Sequence, residues 1–219
     1  MKTNNPFDLI LELRSTNGTV AEFFQTDPER IQQILRLLAS PRLFTQTELI
    51  LASEHYASTF NARAIDVVLV RTGAALPKIL PLNSPAGPVD ISEVNDAREA
   101  ASTEVREGEG HRSAGTSLRT FRVEVQTLGG WSSVLEVCAQ VQGTVQDRRL
   151  TFAHVFHVPV IPFHLRAGGI GFINPANLSS ATAYPPPDSL PETALPLELL
   201  RWTPSRPSSK ACAARPIQP

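Results

Sequence analysis

Two stretches of this chain set the same landmarks at the same intervals, and that restricts the fold more than any single motif. Gly18 lies 26 positions before Phe44, and Gly130 lies 26 before Phe156. Phe44 precedes Phe60 by 16, as Phe156 precedes Phe172. Asn61 stands four before Ile65, and Asn174 four before Leu178. A recurring interval is the mark of an internal repeat, and a repeat changes the reading of the whole fold. The spacings predict that residues 119–184 are a diverged copy of 6–72. The plainer alternative is an unrelated β-rich half, because alternating apolar patterns match one another readily.

The first stretch carries the clearer local signals. Phe7, Leu9, Leu11 and Leu13 alternate with Asp8, Ile10, Glu12 and Arg14, the period of a half-buried strand. Asn17-Gly18 follows, a pair that tolerates positive φ in a tight hairpin. Thr19 to Phe24 reads as the returning strand. In Thr26-Asp27-Pro28-Glu29, Thr26 is expected to cap a helix with Glu29 completing a capping box. Ile31, Ile34, Leu35 and Leu38 share one face of that helix, which ends before Pro41. Strands are then expected over Glu48–Ser53, Tyr56–Phe60 and Ala64–Val70, the last almost wholly apolar and therefore central. The unit reads β-β-α-β-β-β. Leu9, Leu11, Ile34, Leu35, Leu38, Val67 and Leu69 are predicted to form one cluster.

In the second stretch Phe121, Val123 and Val125 alternate, Gly129-Gly130 supplies a turn, and Ser132 to Val141 returns. Thr144-Val145-Gln146-Asp147 resembles the earlier cap, with Phe152, Val155 and Phe156 as the apolar side of a shorter helix. The fold class expected is therefore α+β: two small ββαβββ units, residues 1–72 and 119–184. Between them 73–118 reads as a proline- and charge-rich linker, with Pro77, Pro81, Pro85 and Pro88 barring long regular structure. Within it Asp90-Ile91-Ser92-Glu93 is expected to cap an exposed helix reaching Arg106, whose acidic face is solvated. Residues 185–219 hold prolines at a density that prevents a core and read as a disordered tail. Leu195–Trp202 is an apolar island in that tail, suited to folding back or to docking on a protein partner.

Composition narrows the function classes. A 219-residue chain that is 42% apolar and 19% charged affords a core. Its net charge of -1 lacks the basic excess of a typical nucleic-acid binder. No apolar run approaches the roughly 20 residues of a membrane helix, and the start carries no signal-peptide core. Cys138 and Cys212 are too distant in sequence for a disulfide framework or a zinc spacing, so a cytoplasmic setting is expected.

Four features of the sequence bear on chemistry. His154, His157 and His164 are metal-ligand types; on a helix the first two would share a face and on a strand they would point apart, while His164 lies beyond Pro159 and Pro162 and no Cys, Asp or Glu within the run completes a site. Gly110-His111-Arg112-Ser113-Ala114-Gly115-Thr116-Ser117 has the spacing of a phosphate loop, yet Thr116 stands where lysine is needed. Gly168-Gly169-Ile170-Gly171 reads as a hairpin turn rather than a dinucleotide loop, since Asn174 replaces the third glycine. No nucleophile elbow is present; Ser113 and His111 share a linker, and Cys138 lies among aliphatic residues as a small buried side chain. No catalytic, cofactor or metal residue is therefore assigned. The reading that fits is a non-catalytic interaction, regulatory or structural protein, with Leu195–Trp202 or the linker helix touching a protein partner. The alternatives are an enzyme with dispersed residues, where His154, His157, Asp66 and Asp147 would be suspects, and nucleic-acid binding through Arg148-Arg149 with Arg166.

Overall fold

The computed structural model describes residues 9–52, 57–74, 76, 88–92, 116–142, 157–166 and 168–184, with only the backbone for 116–119 and 138–142. The helix expected after Thr144, the body of the linker helix, Phe156 and Leu195–Trp202 lie outside the described residues.

The N-terminal order is the one the periodicities predict. Strands β1 (Leu9–Ser15) and β2 (Val20–Gln25) form an antiparallel hairpin. Gly18, at φ 79°, takes the left-handed turn position. Helix α1 (Pro28–Leu38) follows. Its N-cap is Asp27, not Thr26: the carboxylate accepts from the N–H of Glu29 at 2.9 Å and of Arg30 at 3.4 Å. Pro28 explains the correction, because a proline belongs at the first helical position and makes the residue before it the cap. Ile31, Leu35 and Leu38 are buried along the inner face. Then come β3 (Glu48–Ala52) and β4 (Ala57–Asn61), paired only with each other among the described residues. A 3-10 turn, Ala62–Ala64, capped by the Asn61 side chain, leads into β5 (Ile65–Thr72).

The stretch read as a free linker is not one throughout. Val89–Asp90 forms β6, and Thr116 to Leu118 already belong to β7 (Thr116–Thr127). Asp90, expected to cap a helix, is a strand residue; its carboxylate accepts from the Ser92 N–H at 2.9 Å and from the Ser133 hydroxyl at 2.8 Å. The chain continues as β8 (Ser132–Gln142), β9 (Ile161–Leu165) and β10 (Ile170–Ile173). A second 3-10 turn, Pro175–Asn177, and β11 (Leu178–Tyr184) complete it. This is a mixed α+β architecture. Nine of the described strands form one sheet in the order β11-β7-β8-β6-β9-β10-β5-β1-β2, with β3-β4 as a separate hairpin. Pairing of β10 with β5, Phe172 opposite Val68, carries the sheet from one half of the chain into the other.

Two apolar clusters sit on the two faces of this sheet. Leu9, Leu11, Ile31, Leu35, Phe44, Val68 and Phe172 are among the residues of the first. Val67 and Leu69 belong instead to the second, with Val125, Leu135 and Phe163. The single cluster expected for the N-terminal residues ignored the strand period: β5 is buried on both sides, so alternate residues serve different cores.

Local geometry recurs between the halves. The Ser15 and Thr127 N–H groups bond to Thr19 and Trp131 carbonyls at 3.0 and 2.9 Å, closing the two hairpin turns. One residue on, Thr16 and Leu128 donate to Ala64 and Asn177, the last residues of the two 3-10 turns, at 2.9 Å in both cases. Each turn is capped by an asparagine side chain, Asn61 and Asn174. Register differs by one at the phenylalanines. Phe60 directly precedes Asn61, whereas Ile173 directly precedes Asn174, so Phe172 is not in the place of Phe60. The turns touch one another: the Asp66 carboxylate accepts from Gly129 N–H at 2.7 Å, and the Asn174 and Asn177 side-chain amides both donate to the Ile65 carbonyl.

Candidate docking groove

An apolar groove of about 490 Å³ opens between β2, α1 and β3. Leu9, Leu11, Ile34 and Leu38 are among the residues of its walls, and Gln25, Arg30 and Gln33 are the polar ones. Its outline follows from the strand positions. When a strand turns a face to a cavity, only every second residue lines it. Here Phe23, Phe24 and Gln25 are consecutive, as are Leu49, Ile50, Leu51 and Ala52. The two strands therefore present their edges to the groove. Strand β2 ends the nine-strand order and β3 pairs only with β4, so both edges carry backbone donors and acceptors unused by any described strand.

The mouth is greasy. Phe24 is 81% exposed, Leu37 65% and Ile50 56%. Single exposed apolar residues are ordinary, but these three line one groove. Deeper in, Phe23 meets Phe60 edge to face at 5.8 Å, which holds the β3-β4 hairpin against β2. Arg30 is the cation of the lining, 3.6 Å from Asp27 in an exposed ion pair.

The residues weighed for chemistry are placed elsewhere. His164 lies on β9, and His157 lies in an exposed position before it. His154, Asp147, Arg148 and Arg149 lie outside the described residues, and Arg166 is exposed in the β9-β10 connection, where Gly168 and Gly169 have φ of 94° and 112°. Among the described residues no group of three or more His, Cys, Asp or Glu is placed to hold a metal. No described helix is long and apolar enough to cross a membrane. Asp66 is fully buried on β5 against the β7-β8 turn. Burial pushes its carboxyl above the ordinary range, against the pull of Thr127, the Gly129 N–H and Asn177. Its Oδ2 holds the β7-β8 turn, and its Oδ1 is buried with no hydrogen-bond partner among the described residues. Glu12, also buried, pairs with Arg14 and with Arg71 at 3.2 Å.

Sequence reasoning missed the groove, although a signal was present. Phe23-Phe24, Leu37-Leu38 and Leu49-Ile50-Leu51 each put an apolar residue on the polar beat of its element. No protein-family model matches the chain, and no characterised protein or solved structure matches it either.

Proposed function

We propose that this chain is a non-catalytic interaction protein, built from two related ββαβββ units, that captures an extended apolar segment of a protein partner in the groove between β2, α1 and β3. The single observation that carries the reading is the meeting of two open strand edges with exposed Phe24, Leu37 and Ile50. Such a site gives a peptide main-chain hydrogen bonds along the edge and apolar contacts for alternate side chains, which is recognition by strand addition. Among the described residues of the groove the polar ones are two amides and a guanidinium, which suit binding. A cytoplasmic setting suits a chain with two distant cysteines.

Duplication is supported by the matched turns, the matched asparagine caps and the matched bonds from Thr16 to Ala64 and Leu128 to Asn177. It predicts a helix between β8 and β9. An experimental structure lacking one there removes the duplication.

The binding reading is tested by selecting displayed random peptides on the purified full chain. Enriched peptides should alternate apolar residues, and the variant carrying Phe24→Asp and Ile50→Asp should bind them at least about ten-fold more weakly, a difference of about 1.4 kcal/mol. Equal binding by that variant overturns the assignment of the groove.

A further inference from the structure

We infer that the chain's own tail fills this slot in the resting protein, with Pro196-Leu197-Glu198-Leu199 added as a strand between β2 and β3. The inference rests on the duplication and on the groove reading above, and it names an occupant that neither supplies. Its starting point is an asymmetry in the sheet. In the second half, the strands corresponding to β2 and β3 are β8 and β9, and the space between them is filled: β6 pairs antiparallel with β8 and parallel with β9. In the first half, the same space is the groove.

The strand that fills the second slot comes from the chain just after the first unit. β6 is held by the Ile91 N–H on Val134 O at 2.8 Å and by the His164 N–H on Pro88 O at 2.7 Å. Its sequence is Pro88-Val89-Asp90-Ile91: proline, aliphatic, acid, aliphatic. The chain just after the second unit holds the same series, Pro196-Leu197-Glu198-Leu199. Thr72 and Tyr184, the last residues of β5 and β11, are 112 positions apart, as are Gly18 and Gly130. Pro88 follows Thr72 by 16 positions and Pro196 follows Tyr184 by 12. Twelve residues extend to about 40 Å, ample for a domain of this size. Each unit would then receive a strand from the segment that leaves the other.

Register gives the side chains places that suit them. Val89 lies opposite Glu136 and His164. The 112-position shift sets Leu197 opposite Phe24 and Ala52, both of which line the groove. Leu197 and Leu199 then share the face of exposed Phe24 and Ile50, and Glu198 takes the face of Phe23, toward α1 and Arg30. The apolar mouth gains cover and the guanidinium gains an acid.

The test uses the full chain with Cys212→Ser. Ala52→Cys paired with Leu197→Cys should close an intramolecular disulfide at least about ten-fold faster than Ala52→Cys paired with Ser208→Cys, because neighbouring strands hold Cα atoms within bonding range. In parallel, Leu197→Asp with Leu199→Asp should speed amide exchange in β2 and β3 while leaving β7 unchanged. Equal disulfide rates, or products linking two chains, overturn the tail as occupant. Adding one of the apolar peptides selected as above, unrelated to the tail, to the doubly substituted chain separates the failures. If the disulfide does not form but the peptide slows exchange in β2, the slot stands and the tail falls. If neither occurs, the groove reading falls with it.

Discussion

Replacing Gly129 with alanine probes the junction where the two halves of the chain meet. Gly129 is not among the glycines held at positive φ, so an alanine backbone is allowed there. Space is not: a Cβ at Gly129 would overlap the Ser15 carbonyl oxygen and the Asp66 carboxylate. Both are pinned, Ser15 in its own turn and Asp66 inside β5, so the β7-β8 turn must move. Overpacking of this kind costs about 1–3 kcal/mol. The shift also stretches the 2.7 Å bond from the Gly129 N–H to Asp66, a bond to a buried acid worth about 1.5–3 kcal/mol when the acid is charged. The two costs share one displacement and do not add fully, so a loss of about 2–4 kcal/mol is expected. Gly130→Ala is the control. It has φ 84° with nothing within 4 Å, and should lose only the roughly 1–2 kcal/mol of left-handed strain. Urea unfolding of both variants, read by circular dichroism, decides. If Gly129→Ala loses no more than Gly130→Ala, the turn is not wedged against Ser15 and Asp66, and the junction has been misread.

Two further outcomes are expected from the core. Leu35→Ala should lose about 2–5 kcal/mol, since Leu35 is buried on the inner face of α1, whereas Leu128→Ala, exposed and away from the groove, should stay within about 0.5 kcal/mol in the same assay. Asp66→Asn should change the pH dependence of stability. A raised folded-state pKa means that the folded protein holds its proton more tightly than the unfolded chain does, so stability from this group is fully present at acid pH and is lost as pH rises through the folded value. The stability of Asp66→Asn relative to the parent should therefore increase from pH 4 to pH 7, and a difference that is flat or falls over that range contradicts the assignment.

Local order was legible because neighbours in sequence carry it. The alternation of Leu9, Leu11 and Leu13, the Asn17-Gly18 turn and the stripe Ile31, Leu35, Leu38 each encode an element within a few residues, and each element formed. Assignments failed where the deciding partner is distant. Val67 and Leu69 went to a different core from Leu9 because residues some hundred positions later, such as Phe163 and Ile173, cover the far face of β5. Glu12 read as a solvent-facing residue of an alternating strand, yet it is buried, with Arg71 from β5 as a partner. Asp90 read as a cap because Ser92-Glu93 suits one, but Ser133 and the edge of β8 offered its segment better bonds.

The groove lies at the limit of what a single sequence can disclose, and the reason is physical. A strand edge has no sequence signature of its own, because every residue except proline carries the same backbone donor and acceptor. Whether that edge is open depends on what pairs with it, and β2 and β8 show how far similar patterns can diverge in fate. Both return from a glycine turn and both carry an apolar alternation. β8 has β6 beside it, and β2 has a groove. What sequence does carry is the cost of leaving an edge open: long exposed edges invite unwanted pairing, and proteins blunt them with charge or proline. β2 carries Glu22 as its charged residue, followed immediately by Phe23-Phe24, a poor defence for an edge that stays bare. An apolar pair on an edge that no described strand covers, with Leu37 and Ile50 around it, is the surface that the proposed strand addition would cover.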